Sequence, residues 1–308
     1  MAAPDRKLTI YAGGTLASLP SRPHLARSVN PPPAALASGP GPEGRPALVL
    51  LHGLASSPGE FGLLTHPLRR LGIALHAPRI AGYSHPTLDA RPRWQAWADA
   101  AHEAVSRAVP PGHPYVLGGL CTGALLALAV AARRRGNDSL RGLALLSPTF
   151  VLDGWGLPWW YGLRRIAYAM RLDGRFSMHE RPPYGLKNER LRSWVRQQMD
   201  AGQESLAGPP RVPLRAVHES ERLAQQARGW LRELDRPTLA LHAREDEIAS
   251  LGAVLRVLST APTALLEVCV LENSYHMIAA DNDRQRVAER LAAHVHACAA
   301  QPTTALAA

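Results

Sequence analysis

Tyr115-Val116-Leu117-Gly118-Gly119-Leu120-Cys121-Thr122-Gly123-Ala124-Leu125-Leu126 reads as a strand, a sharp turn and a helix, with a nucleophile at the apex. An apolar run of strand length leads into Gly119-Leu120-Cys121-Thr122-Gly123, and an Ala/Leu-rich segment reaching Arg134 leaves it. In a nucleophile elbow, G-x-S-x-G, the flanking glycines let backbones approach where a side chain would clash, and the apical residue is held strained and exposed. Here the apex is Cys121, and a cysteine there serves either as a nucleophile or as a small buried thiol.

Outward from the elbow the pattern repeats. Ala47 to Leu51 is a continuous apolar run, as a parallel strand buried on both faces shows. It ends in His52-Gly53-Leu54-Ala55-Ser56-Ser57, a small-residue loop suited to an oxyanion hole, with the Leu54 and Thr122 N–H groups as donors. Further strands are expected at Ile73–Pro78, Leu143–Pro148, Thr238–His242 and Leu265–Leu271. Helices are expected at Gly59–Leu71, at Trp94–Ala108 with Trp94, Trp97, Ala101 and Val105 on the buried stripe, and at Asp283–Ala297. Alternating strands and helices with short links predict an α/β fold, a doubly wound and mostly parallel sheet.

Between residues 149 and 235 the rhythm is lost, with helix-like pieces at Tyr161–Arg171, Glu189–Met199 and Glu219–Leu234 and most of the tryptophan of the chain. Such an insertion, after the strand that follows the elbow, reads as a helical lid over the active-site edge. Its tryptophans suit an apolar substrate or a small core of its own. Its arginines read as a solvated face or as holders of a carboxylate or phosphate. The core then comprises residues 46–148 and 236–298. Residues 1–45, punctuated by Pro31-Pro32-Pro33 and Gly39-Pro40-Gly41-Pro42, read as an N-terminal arm in which Lys7 to Ala12 can form a short edge strand, and 299–308 as a disordered tail.

Composition narrows the function. The chain has 308 residues and is 46% apolar, enough for one large domain with an insertion. Its three cysteines show no disulfide-framework or metal-ligand spacing, which points to a reducing, cytoplasmic setting. The formal charge of +10 is carried by arginines scattered through every segment, with lysine only at Lys7 and Lys187. Scattered charge argues against a nucleic-acid partner and leaves room for anionic or membrane-near substrates. Leu8 to Leu19 is broken by Gly13 and Gly14, a poor signal-peptide core, and the apolar stretch Val116–Ala132 is interrupted by the elbow, so no stable membrane span is expected. Nothing in the sequence requires a metal or an organic cofactor. The expected partner is a small acyl substrate, and the oligomeric state is left open.

Nucleophile, acid and histidine follow one another in loops at the carboxyl ends of successive strands: Cys121, Asp246 in Ala243–Ile248, and His276 in Glu272–Ile278. Ligands in open α/β sheets bind at that edge, so these loops converge. Cys121 would attack an acyl carbon, His276 would act as base and then acid, and Asp246 would orient His276. Glu245 and Glu247 compete for the acid's role. His242 lies on the acid's own strand and reads as structural, as does His85 in its loop. His294 and His296 lie on the last helix, and Cys269 within a strand reads as a small buried hydrophobe.

Leu50-Leu51-His52-Gly53-Leu54, Gly119-Leu120-Cys121-Thr122-Gly123, His242-Ala243-Arg244-Glu245-Asp246 and Ser274-Tyr275-His276-Met277-Ile278 together resemble the α/β-hydrolase superfamily. Within it the chain is similar to the capped carboxylesterases and monoacylglycerol-lipase-like proteins often labelled serine aminopeptidases. The likeness runs from Ala47 to His296. Two departures stand out: cysteine replaces the serine of these esterases, and Ala243 replaces the usual glycine before the acid. Cysteine elbows occur in dienelactone hydrolases, polyhydroxyalkanoate synthases and some polyhydroxybutyrate depolymerases. The resemblance implies hydrolysis of carboxylic esters or thioesters with an apolar acyl part, through an acyl-cysteine. An acyltransferase or thioester-processing role in a polyester or secondary-metabolite pathway, and a non-catalytic relative, stand as alternatives.

Overall fold

A computed structural model describes residues 10–11, 36–37, 46–203 and 205–300. In chain order the elements are β1 (Ile10–Tyr11), β2 (Leu36–Ala37), β3 (Ala47–Leu51), α1 (Gly62–Arg70), β4 (Ala74–Ala77), α2 (Trp94–Ala108), β5 (Tyr115–Leu120), α3 (Thr122–Arg133) and β6 (Leu140–Leu146). Then come α4 (Arg164–Ala169), β7 (Ser177–His179), α5 (Glu189–Asp200), β8 (Arg211–Pro213) and α6 (Leu214–Arg232). The chain returns to the sheet with β9 (Thr238–Ala243), α7 (Leu251–Leu258), β10 (Leu266–Leu271) and α8 (Arg284–Ala300).

Eight strands form one sheet in the order β1-β10-β9-β6-β5-β3-β4-β2, parallel throughout except for β2 against β4. Every residue of β3, β5 and β9 is buried, the consequence of helices covering both faces. Trp97 of α2 is wholly buried, whereas Trp94 is half-buried and meets Trp230 of α6 edge-on. The arm contributes more than a linker, since β1 and β2 lie at the two edges of the sheet. The rest of the arm and the tail from residue 301 lie outside the described residues, and residues 299 and 300 belong to α8.

Two helix starts differ from the sequence pattern for local reasons. The helix expected at Gly59–Leu71 begins as a 3-10 turn, Pro58–Phe61, capped by the Ser57 side chain. The proline at its first position has no N–H to leave unsatisfied there. The helix expected from Glu219 starts at Leu214, directly after β8, and packs against α3 and α2. Between β6 and β9, β7 and β8 form an antiparallel ribbon apart from the main sheet. Asp281, fully buried, ties this insertion to the core: its carboxylate accepts from the N–H groups of Lys187 (2.7 Å), Asn188 (2.8 Å) and Tyr275 (2.9 Å).

Candidate active site

The elbow is set by two close approaches. A Cβ on Gly119 would lie 2.3 Å from the Gly123 carbonyl, and one on Gly123 would lie 2.1 Å from the Leu51 oxygen. Glycine is therefore required at both positions. Between them Cys121 sits at φ 58°, ψ −123°, a strained conformation for a side-chain-bearing residue, and its N–H is held by the Leu146 oxygen at 3.0 Å. Cys121 is half-buried and caps the N-terminus of α3.

Asp246 and His276 meet beside it. The His276 Nδ1–H donates to Asp246 Oδ2 at 2.8 Å. The second carboxylate oxygen of Asp246 accepts from the N–H groups of Ile248 and Ala249, both at 2.9 Å, which fixes the buried acid. The His276 main chain is clamped on both sides: its N–H donates to Glu247 Oε2 at 3.0 Å, and its carbonyl accepts from Ser147 Oγ at 2.8 Å. Nε2 of His276 is buried with no hydrogen-bond partner meeting normal geometry, yet it lies close enough to Cys121 for each group to shift the other. His242 stays structural: its Nε2–H donates to the Ala249 oxygen at 2.9 Å, with Asp246 Oδ2 further off at 3.5 Å.

The electrostatics favour an ion pair. Burial alone pushes the Cys121 thiol up, but the charge of the nearby His276 and the Thr149 hydroxyl outweigh it, and the net shift is downward. Burial alone pushes His276 down, and the charge of Asp246, then that of Cys121, carry it well above its ordinary value. Both shifts favour the charged forms, so thiol and imidazole behave as a coupled pair rather than two independent groups. Glu60 opposes this by raising the thiol.

The cavity over Cys121, of 210 Å³, is lined by Leu54, Thr122, Thr149, His276 and residues of the insertion from Leu152 to Gly185. Neither the Leu54 nor the Thr122 N–H donates to another group among the described residues. Both residues stand at the cavity wall. His52 is not part of the reacting set. Its Nδ1–H bonds the Gly53 oxygen at 2.9 Å, its Nε2 meets Ser84 Oγ at 2.7 Å, and burial lowers it to about 4.

Three features were not singled out from the sequence. Thr149 Oγ1 lies 3.1 Å from Cys121 Sγ. Glu60, buried, accepts the Gly53 N–H at 2.8 Å, next to the prospective oxyanion position. Glu180, exposed as a residue but with its carboxyl crowded at the cavity, is raised to about 7, by burial first and Glu247 second. The position of Thr149, three residues past a buried strand at the carboxyl edge, was the available signal for the first.

The fold and the elbow define an α/β-hydrolase. A profile of the family described as serine aminopeptidase, S33, matches residues 42–283, and the chain belongs to that family. Its fold is shared with the soluble variant of monoglyceride lipase from Saccharomyces cerevisiae, at TM-score 0.67 and 15% identity over 82% of this chain and 87% of that one. A monoacylglycerol lipase from Paleococcus ferrophilus gives 0.62 and 18% over 80% and 94%. A structure from the work on LipS and LipT, metagenome-derived lipolytic enzymes, gives 0.64 and 20% over 85% and 97%. No curated protein matches the chain significantly.

Proposed function

We propose that the protein hydrolyses carboxylic esters or thioesters with an apolar acyl part through an acyl-cysteine intermediate. The observation that carries this reading is the Asp246–His276 hydrogen bond beside a thiol of lowered pKa at a strained elbow. The lipolytic enzymes and lipases that share the fold support an ester substrate.

The Cys121 thiolate attacks the acyl carbon, and the carbonyl π pair moves onto oxygen. The N–H groups of Leu54 and Thr122 receive that oxyanion, and in comparable sites loss of one such donor lowers turnover by about a hundredfold or more. Collapse expels the alkoxide or thiolate of the leaving group, which takes the proton from His276 Nε2. Water then attacks the thioester while neutral His276 accepts its proton. The second collapse releases the acid and restores the thiolate and the imidazolium. Residues 149–235 act as a lid, a role supported by the residues of this insertion that line the cavity.

Intact-protein mass after brief, acid-quenched exposure to p-nitrophenyl esters and acyl thioesters tests the reading. An acyl adduct on the parent and none on Cys121→Ala, with turnover lost in the variant, is the expected result. Turnover retained by Cys121→Ala would overturn it.

A further inference from the structure

Among the described residues, the large apolar side chains open to solvent gather in one stretch. Trp155, Trp159, Leu163, Ile166, Met170 and Phe176 are all more than half exposed, Trp159 at 92%. Outside residues 155–176 only Leu63 is comparable, at 38%. Trp159, Leu163, Ile166 and Met170 are spaced by four, three and four residues across a 3-10 turn (Trp159–Leu163) and α4. That spacing places Leu163, Ile166 and Met170 along one side of α4 and its flanks, while Trp159 extends the exposed apolar surface from the preceding 3-10 turn. The other side is satisfied by the protein: Tyr161 is buried, Arg164 pairs with Glu221 at 2.7 Å, and Ala167 and Tyr168 pack on the core. The segment is thus amphipathic with its apolar stripe turned to water.

Its charge has one sign. Arg165, Arg171 and Arg175 are exposed and form no ion pair among the described residues. The sole acid within 155–176, Asp173, is buried, ion-paired with Arg215 and hydrogen-bonded to His218. Tryptophan and aliphatic side chains flanked by arginine form the pattern of a helix lying in a membrane interface, and guanidinium groups at its rim favour anionic headgroups. A second copy meets this face poorly, since a two-fold pairing brings like-charged arginines together. No described helix is long and apolar enough to cross a membrane, so contact would be peripheral. The same run supplies Trp160 and Tyr161 to the wall of the cavity over Cys121.

We propose that residues 155–176 dock the protein on a lipid surface bearing anionic headgroups, with the cavity mouth beside the bilayer. This goes beyond the hydrolytic reading and does not rest on Cys121.

Flotation of the full chain with vesicles tests it, using phosphatidylcholine alone and phosphatidylcholine with about one-third phosphatidylglycerol. Binding to the anionic vesicles is expected to be at least about tenfold tighter and to weaken in about 0.5 M salt. Ile166→Asp and the pair Arg165→Glu, Arg171→Glu should each cut it by about tenfold or more while leaving the thermal midpoint unchanged, since these positions are exposed. No flotation with either vesicle, or equal flotation of the variants, would overturn the proposal. So would a dimer in light scattering that Ile166→Asp dissolves, which would make the face a self-association surface.

Discussion

Thr149 Oγ1 stands 3.1 Å from Cys121 Sγ and 3.3 Å from the Ser147 carbonyl oxygen, so one hydroxyl proton has two acceptors. A thiolate is the stronger acceptor and draws the proton, whereas a thioester sulfur releases it to the carbonyl. In the proposed mechanism Thr149 thereby stabilises the ionised thiol more than the acylated one. A hydrogen bond to a charged group contributes about 1.5 kcal/mol or more, which is about one pKa unit. Thr149→Val should raise the Cys121 pKa by about one unit in the pH profile of iodoacetamide alkylation, and Thr149→Ser should restore it. Alkylation at high pH should be up to about threefold faster in the valine variant, because a more basic thiolate is more nucleophilic. An unshifted profile would leave Thr149 a packing residue.

Glu60 acts in the opposite direction. Its carboxylate holds the Gly53 N–H at 2.8 Å and raises the thiol by repulsion. Glu60→Gln keeps an acceptor for that N–H and removes the charge. The thiol pKa should then fall below the parent's, and the acylation rate measured in single turnover should rise with neutral esters, as the oxyanion no longer forms beside a negative charge. A raised thiol pKa in this variant would show that the carboxylate acts through loop geometry instead.

Asp246 sets the upper limit of the ion pair, since its charge is the largest contribution raising His276. In the proposed mechanism the ion pair forms as pH rises through the lowered thiol pKa and persists until pH passes the raised histidine pKa. In Asp246→Asn, alkylation should reach its plateau only near the free-thiol value of about 8.5, and turnover should fall by about a thousandfold or more. The folded-state pKa of Asp246 is depressed, so its stabilising contribution is present above the unfolded value of about 3.9 and is lost as pH falls through the folded value. Acid unfolding of the asparagine variant should accordingly be shallower, as read by circular dichroism.

The sheet was legible because each core strand is a mostly apolar run, broken only by single residues such as His76, Arg141, His242 and Glu267, and the candidate triad because its loops all leave the carboxyl edge. Thr149 was not legible, since its contact spans 28 residues and depends on the positive φ of Ser147 between them. Glu60 was disguised. Ser57-Pro58-Gly59-Glu60 has the spacing of a helix-capping box, in which the acid would turn back on the main chain of the capping residue. Ser57 does cap, but the carboxylate reaches across to Gly53, a choice fixed by the fold of the loop after β3. The exposed side of α4 was hidden for a related reason. Periodicity identifies an apolar stripe but does not say whether it faces the core or the solvent.

Gly123 and Gly136 separate close approach from conformational freedom. A Cβ at Gly123 would fall 2.1 Å from the Leu51 oxygen and 2.5 Å from the His52 oxygen, both backbone atoms at the start of the prospective oxyanion loop. At Gly136 the φ is +75° and nothing lies within 4 Å. Gly136→Ala should therefore cost about 1–2 kcal/mol from the left-handed conformation alone and leave activity intact. Gly123→Ala must push β3 and α3 apart by about an ångström, costing about 3 kcal/mol and displacing the Leu54 N–H from the oxyanion. Where the variant folds, kcat should fall by about a hundredfold with little change in the Cys121 alkylation profile, because the His276 and Thr149 contacts to sulfur do not run through that loop. Equal activity of the two alanine variants would mean that β3 yields without moving the loop, and that the Leu54 N–H is not the donor.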